Sequence, residues 1–203
     1  MMLREETAPP AGALPVGALR DHLRLGSGFE IAADAAEDAA LAGFLRAAIA
    51  TVEARTGKVL LTRRFRMQLD DWRDRLGQPL PLAPVIAVEK IEIDDGAGIV
   101  TELGPEAWRL VPDGQRPVIL PAGVILPHVP RLGSVAVTFT AGFGADWADV
   151  PADLAQAVIM LAAGYYEDRS FEGSKAMPFG VAALIERWRQ VRVLAGRGGR
   201  GMR

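Results

Sequence analysis

The sequence predicts an α+β fold that is mainly an α-helical bundle, with four main helices and a β module inserted between the second and the third. Apolar residues recur at helical spacing up to residue 57 and again after residue 150. Between these stretches the period changes to the strict alternation of β-strands. Half of the 203 residues are hydrophobic and 24% are charged, which is typical of a globular protein. No apolar run reaches the roughly 18 residues of a membrane span.

Two helices are predicted in the first third of the chain. Residues 15–25, PVGALRDHLRL, form a short amphipathic helix. Asp34 then precedes Glu37 by three residues, which is the spacing of a capping box, and the helix that follows runs to about Thr56. The buried stripe of this long helix is predicted to be Leu41, Leu45, Ala48 and Val52.

The predicted β module covers residues 58–144. Phe65, Met67 and Leu69 alternate with polar residues, which is the pattern of a half-buried strand. Asp94-Asp95-Gly96 has the composition of a turn. A stretch of this length with such regular turns is too long to be a loop between two helices. Further strands are predicted at 88–93, 99–103, 108–110, 118–120 and 134–140.

Two helices complete the chain. Pro151 opens the third, whose buried face includes Leu154, Val158 and Leu161, and the fourth follows a Pro178-Phe179-Gly180 turn. The predicted organisation therefore has four parts. They are a flexible N-terminal arm at 1–14, a helical body at 15–57 and 145–195, the inserted β module at 58–144 and a flexible basic tail at 196–203.

The net charge of −2 conceals an uneven distribution. The segment from Arg187 to Arg203 holds six arginines and no acid, which is +6, so residues 1–186 carry −8. This division indicates that the tail meets something negative, and a solvated, frayed terminus is the alternative. A nucleic-acid-binding accessory protein that acts through the Arg-rich tail is the alternative function, and it predicts steeply salt-dependent binding.

No catalytic residue, metal ligand or cofactor is predicted. His22 and His128 lie on different elements, and the chain has no cysteine. The adjacent acids Asp70 and Asp71 point to opposite faces of a strand. The segment 141–144, AGFG, lacks both the third glycine of a dinucleotide fingerprint and the Gly-Lys-Ser/Thr of a P-loop. We therefore predict a protein that is not an enzyme.

Two groups of residues are candidates for contacts between proteins. Tyr166, Glu167 and Arg169 lie at the end of the third helix, where tyrosine and arginine indicate a subunit interface and a plain helix terminus is the alternative. Trp188 stands at helical spacing from Leu184, and its side chain is predicted to lie either in the hydrophobic core or in a subunit interface.

The order of these elements resembles the head–tail connector (adaptor) family of long-tailed bacteriophages and phage-derived gene transfer agents. The resemblance extends from Leu14 to about Arg192. It rests on seven segments in this order: LPVGALRDHLRL, ATVEARTGKVLLTRRF, PLPLAPVIAVEKIEIDD, WRLVPDG, VAVTFTAGFG, VPADLAQAVIMLAAGYYEDR and PFGVAALIERWR.

The resemblance implies a structural ring subunit, usually one of twelve, at the head–tail junction of a particle assembled in the bacterial cytoplasm. Its implied partners are the portal protein, a neck or stopper protein on the tail side and other copies of itself. DNA would pass through the lumen without sequence-specific binding, and no membrane is involved. Family members commonly engage the portal through their C-terminal segment, which here carries over to Trp188, Arg189, Arg192, Arg197, Arg200 and Arg203.

Overall fold

The computed structural model describes residues 1–25, 31–167 and 177–189. These residues form four α-helices: α1 (Val16–His22), α2 (Ile31–Thr56), α3 (Ala152–Glu167) and α4 (Phe179–Ile185). None of these helices is both long and apolar enough to cross a membrane. Short 3-10 turns lie at Ala11–Ala13, Pro105–Ala107, Trp147–Asp149 and Glu186–Trp188.

The same residues form two antiparallel sheets. The strands are β1 (Met2–Glu5), β2 (Arg63–Leu69), β3 (Gln78–Pro79), β4 (Val85–Asp94), β5 (Val100–Glu102), β6 (Trp108–Val111), β7 (Val118–Pro121) and β8 (Ser134–Ala141). The five-stranded sheet has the order β1-β2-β8-β4-β5, and the three-stranded sheet has the order β3-β7-β6. Every neighbouring pair is antiparallel.

The helices share one hydrophobic core. All four contribute to it, with Leu19 from α1, Val158 from α3 and Val181 and Ile185 from α4. The predicted stripe of α2 is confirmed, because Leu41, Leu45, Ala48 and Val52 are all buried. The helix itself begins at Ile31, before Asp34, so the predicted capping box does not open it.

The strands share a second core. Phe65, Met67 and Leu69 point inward from β2, as their alternation predicts, and meet residues of β8 such as Val137. Ile119 of β7 belongs to the same core, so the small sheet covers part of the large one. Burying both inner faces gives the strands a core separate from that of the helices.

A buried ion network joins the two cores. The Arg63 guanidinium, only 7% exposed, donates to both carboxylate oxygens of Glu53 on α2 at 2.5 Å and to Glu5 of β1 at 3.0 Å. The Leu60 amide also donates to Glu53 at 2.8 Å. Burial raises the pKa of Glu53, although Arg63 and the Leu60 amide act in the opposite direction. The network thus holds β1, β2 and the end of α2 together.

Lys58 makes a second connection at the same junction. Its side chain is fully buried, and its Nζ donates to the Gly114 carbonyl oxygen at 2.5 Å and to Gln115 Oε1 at 2.7 Å. Burial lowers the pKa of Lys58, and the charge of nearby Asp113 opposes that shift. These bonds satisfy the buried ammonium group and tie the loop before β7 to the end of α2.

The predicted fold class, a mainly helical bundle with an inserted β module, is wrong. The fold is a mixed α/β structure in which β1 precedes the helices and pairs along its whole length with β2. Residues 2–5 of the predicted arm therefore belong to the large sheet. The four residues of β1 are too few to show the alternation of a strand. Its partner β2 follows α1 and α2 in the sequence, so the pairing is not visible in the local pattern. The remaining boundaries of the predicted organisation stay predictions.

Candidate functional site

The C-terminal segment, residues 177–189, is the candidate site because it carries the first of the predicted docking residues. Within this segment α4 buries Val181 and Ile185 in the helical core. The chain then leaves α4 through the 3-10 turn Glu186–Trp188. The segment is thereby held against the first turn of α3.

Trp188 anchors the end of this segment. Its indole Nε1 donates to Asp153 Oδ2 at 2.6 Å, and the Arg187 Nε lies 2.6 Å from the same oxygen. The Arg187 guanidinium also stacks over the Trp188 ring, 4.9 Å from its centre. The Phe143 ring packs edge-to-face on Trp188, with the ring centres 5.6 Å apart.

The charge of Asp153 is stabilised by its partners. Burial raises the pKa of Asp153, but the hydrogen bonds from Trp188, Arg187 and the Leu154 amide together outweigh it and leave the pKa below its ordinary value. The carboxylate is therefore ionised at neutral pH and accepts strong, charge-assisted hydrogen bonds. The N-terminal position of Asp153 in α3 is also favourable for a negative charge.

The glycine-rich segment 141–144 has a structural role. Gly142 has φ +142°, and a Cβ at this position would lie 2.5 Å from the Thr62 Cα, so the turn requires glycine. This turn places Phe143 against Trp188. Sequence reasoning identified the turn but missed both Phe143 and Asp153 as parts of the anchor, because their contact depends on how β8, α3 and the C-terminal segment pack.

The predicted portal-binding residues divide into two groups. Trp188 is half-buried, and Arg189 is exposed with its Nη1 3.1 Å from Glu186 Oε2. Arg192, Arg197, Arg200 and Arg203 lie outside the described residues. Trp188 and Arg189 therefore lie at the end of the described C-terminal segment. The basic tail continues from this point.

The predicted subunit-interface residues lie at the end of α3. Tyr166 packs edge-to-face on Phe44 of α2, with ring centres 6.0 Å apart. Its neighbour Tyr165 shares a 3.1 Å hydrogen bond with Thr51 Oγ1. Glu167 is exposed, and Arg169 lies outside the described residues. Tyr166 thus contributes to packing within the chain, and the subunit contact stays a prediction.

The outer face of the five-stranded sheet carries a second concentration of charge. Glu92 lies 2.6 Å from the Lys90 ammonium and 2.8 Å from the Arg66 guanidinium. These hydrogen bonds, that of Lys90 before that of Arg66, lower the pKa of Glu92. Lys90 also lies 3.7 Å from Glu102 on the edge strand β5. Most charges on this face are therefore compensated within the sheet.

Among the described residues, no group of side chains converges as it would in an active site or a metal site. Among them, no three His, Asp or Glu side chains are grouped as metal ligands. Both histidines, His22 and His128, are exposed. A groove of about 410 Å³ lies between α3 and α4, but its charged residues, Asp153 and Arg187, are paired with each other.

Comparison with known proteins gives a single consistent result. No family model and no curated protein matches the chain. A chain from the neck of an empty gene transfer agent particle, solved with C6 symmetry, is 56% identical with a TM-score of 0.87. A chain from the virion of a native gene transfer agent particle is 55% identical with a TM-score of 0.84. A chain from the neck of a native particle, solved with C12 symmetry, is 53% identical with a TM-score of 0.82.

Each match covers 97% of this chain and 100% of the solved chain. The fold is thus that of a structural component of a phage-like particle. At this identity and coverage, the chain belongs to the neck proteins of gene transfer agent particles. The predicted relationship to head–tail connectors, and the predicted location at the head–tail junction of the particle, are confirmed.

Proposed function

We propose that this protein is the adaptor subunit of the neck: copies of it form a ring beneath the portal, extend the DNA channel and present a surface to the next neck protein. The observation that carries the proposal is the full-length similarity to neck chains solved with C6 and C12 symmetry. Twelve copies are compatible with both symmetries, since six is a factor of twelve. The role is structural and requires no catalysis.

The C-terminal segment is the proposed contact with the portal. Trp188 is fixed to α3 through Asp153, so every copy in a ring would start its basic tail from the same place. The tail beyond it carries Arg192, Arg197, Arg200 and Arg203. Weak contacts repeated around a ring combine through avidity, which suits a short segment.

A truncation after Arg189 tests the portal contact. This cut retains Trp188 and its bonds to Asp153, so the body keeps its described contacts. We expect the truncated protein to fold with an unchanged melting temperature and to lose binding to purified portal protein. A full-length variant with the four tail arginines replaced by lysine keeps the charge and serves as the matched control, beside a variant with four glutamines. Portal binding by the truncation at full strength would contradict the proposal.

Copy number tests the ring itself. Quantitative mass spectrometry on purified particles is expected to find this chain at a molar ratio to the portal protein close to one. Its absence from intact particles, together with abundance in the lysate, would contradict the adaptor role. A transient assembly role, or the nucleic-acid role of the tail, would then take its place.

A further inference from the structure

The two edges of the five-stranded sheet, β1 and β5, have features that point to a partner. Both edges are exposed along their whole length in the described structure. Each presents an apolar residue, Met2 at 61% exposure on β1 and Val100 at 54% on β5. Neither strand contains the proline or the bulge that usually protects an edge. Both strands are nevertheless short and charged, so their unpaired backbone groups would accept only a strand whose side chains match.

The direction of the strands determines how two copies can meet. In a five-stranded sheet with only antiparallel neighbours, the two edge strands run in the same direction. Rotation about a ring axis preserves the direction of a strand along that axis. The β5 edge of one copy can therefore meet the β1 edge of the next copy only as a parallel pair. A cyclic ring requires this kind of contact between two different surfaces of the subunit.

The side chains of the two edges lie on the same face of the sheet. Directly opposed residues share a face, and one such row runs from Met2 through Gln68, Ala136 and Glu92 to Glu102. Because side chains alternate along a strand, Arg4 and Val100 lie on this face as well. The outward pattern is thus apolar then positive on β1, and apolar then negative on β5.

The two patterns match in one parallel register. A strand that is tilted from the axis of a closed assembly, as in a β-barrel, meets its neighbour with a stagger along the strand. A stagger of two residues places Met2 beside Val100 and Arg4 beside Glu102 of the adjacent copy. Arg4 directly opposes Arg66 in its own sheet, and two like charges in that position repel. A carboxylate from the next copy would offset this repulsion.

We propose that β5 of one copy pairs in parallel with β1 of the next, with Met2 against Val100 and Arg4 against Glu102. This inference rests on the ring of the proposed function. Three residues of parallel pairing are a weak contact by themselves. Ring formation would therefore depend on repetition and on a template such as the portal.

Engineered disulfides test the register, because the chain has no cysteine of its own. Adjacent strands lie about 4.8 Å apart, within the Cα separation that a disulfide spans. The double variant M2C/V100C, expressed in producing cells in place of the natural copy, is expected to give a ladder of cross-linked multimers from purified particles under oxidation. The single variants cannot extend beyond dimers. The control L3C/V100C has the same number of thiols and leaves Arg4 and Glu102 in place, but its two cysteines lie on opposite faces of the joined strands, so we expect few cross-links from it.

Charge exchange provides a second test that does not depend on oxidation. R4E and E102R are each expected to reduce the yield of intact particles at least tenfold. The double variant R4E/E102R restores the pair across the interface and is expected to recover most of the yield. Failure of the exchange together with absence of the M2C/V100C ladder overturns the inference. If the chain is nevertheless present in particles at the portal's copy number, the proposed function stands and only this contact is wrong.

Discussion

Trp188 donates its indole N–H to the carboxylate of Asp153 across 2.6 Å, and this bond fixes the last described turn to the first turn of α3. The contact determines where the basic tail leaves the body. It also explains why a half-buried tryptophan lies so close to an Arg-rich, Gly-rich terminus. The anchor belongs to the folded protein, whereas the arginines beyond it belong to the proposed contact with the portal.

The Trp188 anchor is expected to behave as a coupled pair. W188F keeps an aromatic ring beside Phe143 but removes the donor, and it should lower the free energy of unfolding by about 1.5–3 kcal/mol, the range for a hydrogen bond to a charged group. D153A should cost a similar amount. The double variant should cost clearly less than the sum, as measured by urea denaturation, because both changes remove the same bond. Additive losses would show that the bond contributes nothing.

The anchor is also expected to weaken in acid. The pKa of Asp153 is held below its ordinary value in the folded protein, so the unfolded state binds the proton more readily. Its stabilising contribution is therefore complete above the unfolded pKa of about 3.9 and is lost as the pH falls through the folded pKa. Denaturation at a series of pH values should show a decline below about pH 4. That decline should be smaller in D153N.

The sequence predicted local structure better than the arrangement of the elements. The alternation of Phe65, Met67 and Leu69 and the buried stripe from Leu41 to Val52 were read correctly, because each depends on a repeating pattern within one element. The pairing of β1 with β2 was missed because four residues carry no measurable period. The contact of Asp153 with Trp188 was missed because it joins residues from two helices whose packing the sequence does not display.

Arg63 is expected to be essential to the junction between the cores. R63M leaves the buried Glu53 carboxylate without its cation, and the loss of one partner of a buried pair costs about 3–5 kcal/mol. Without Arg63 the pKa of Glu53 would rise further. The stability of R63M should therefore fall as the pH rises above the unfolded glutamate pKa of about 4.3. The double variant E53Q/R63M should recover much of the loss in chemical denaturation, and no recovery would contradict this role for Glu53.

Removal of residues 1–7 is expected to destabilise the protein, which it would not do if these residues were only a flexible arm. The deletion removes β1 and the Glu5–Arg63 ion pair and leaves β2 as an exposed edge. We expect a loss of about 2 kcal/mol, or roughly 4–8 °C in melting temperature for a domain of this size. The triple alanine variant of Arg4, Glu6 and Thr7 retains the strand and the Arg63 ion pair and is the control. A deletion that leaves the melting temperature unchanged would show that β1 contributes nothing to the fold.

Binding of the full-length protein to duplex DNA is expected to be weak and only shallowly dependent on salt. Residues 1–186 carry −8, and the cations Arg66 and Lys90 on the outer sheet face are already paired with carboxylates. A tail that used its six arginines on phosphates would instead give a log–log slope of about −5. Fluorescence anisotropy with a labelled duplex between low and physiological salt separates the two cases. A steep slope that disappears when the four arginines beyond Arg189 are replaced by glutamine would favour nucleic-acid binding over portal docking as the role of the tail.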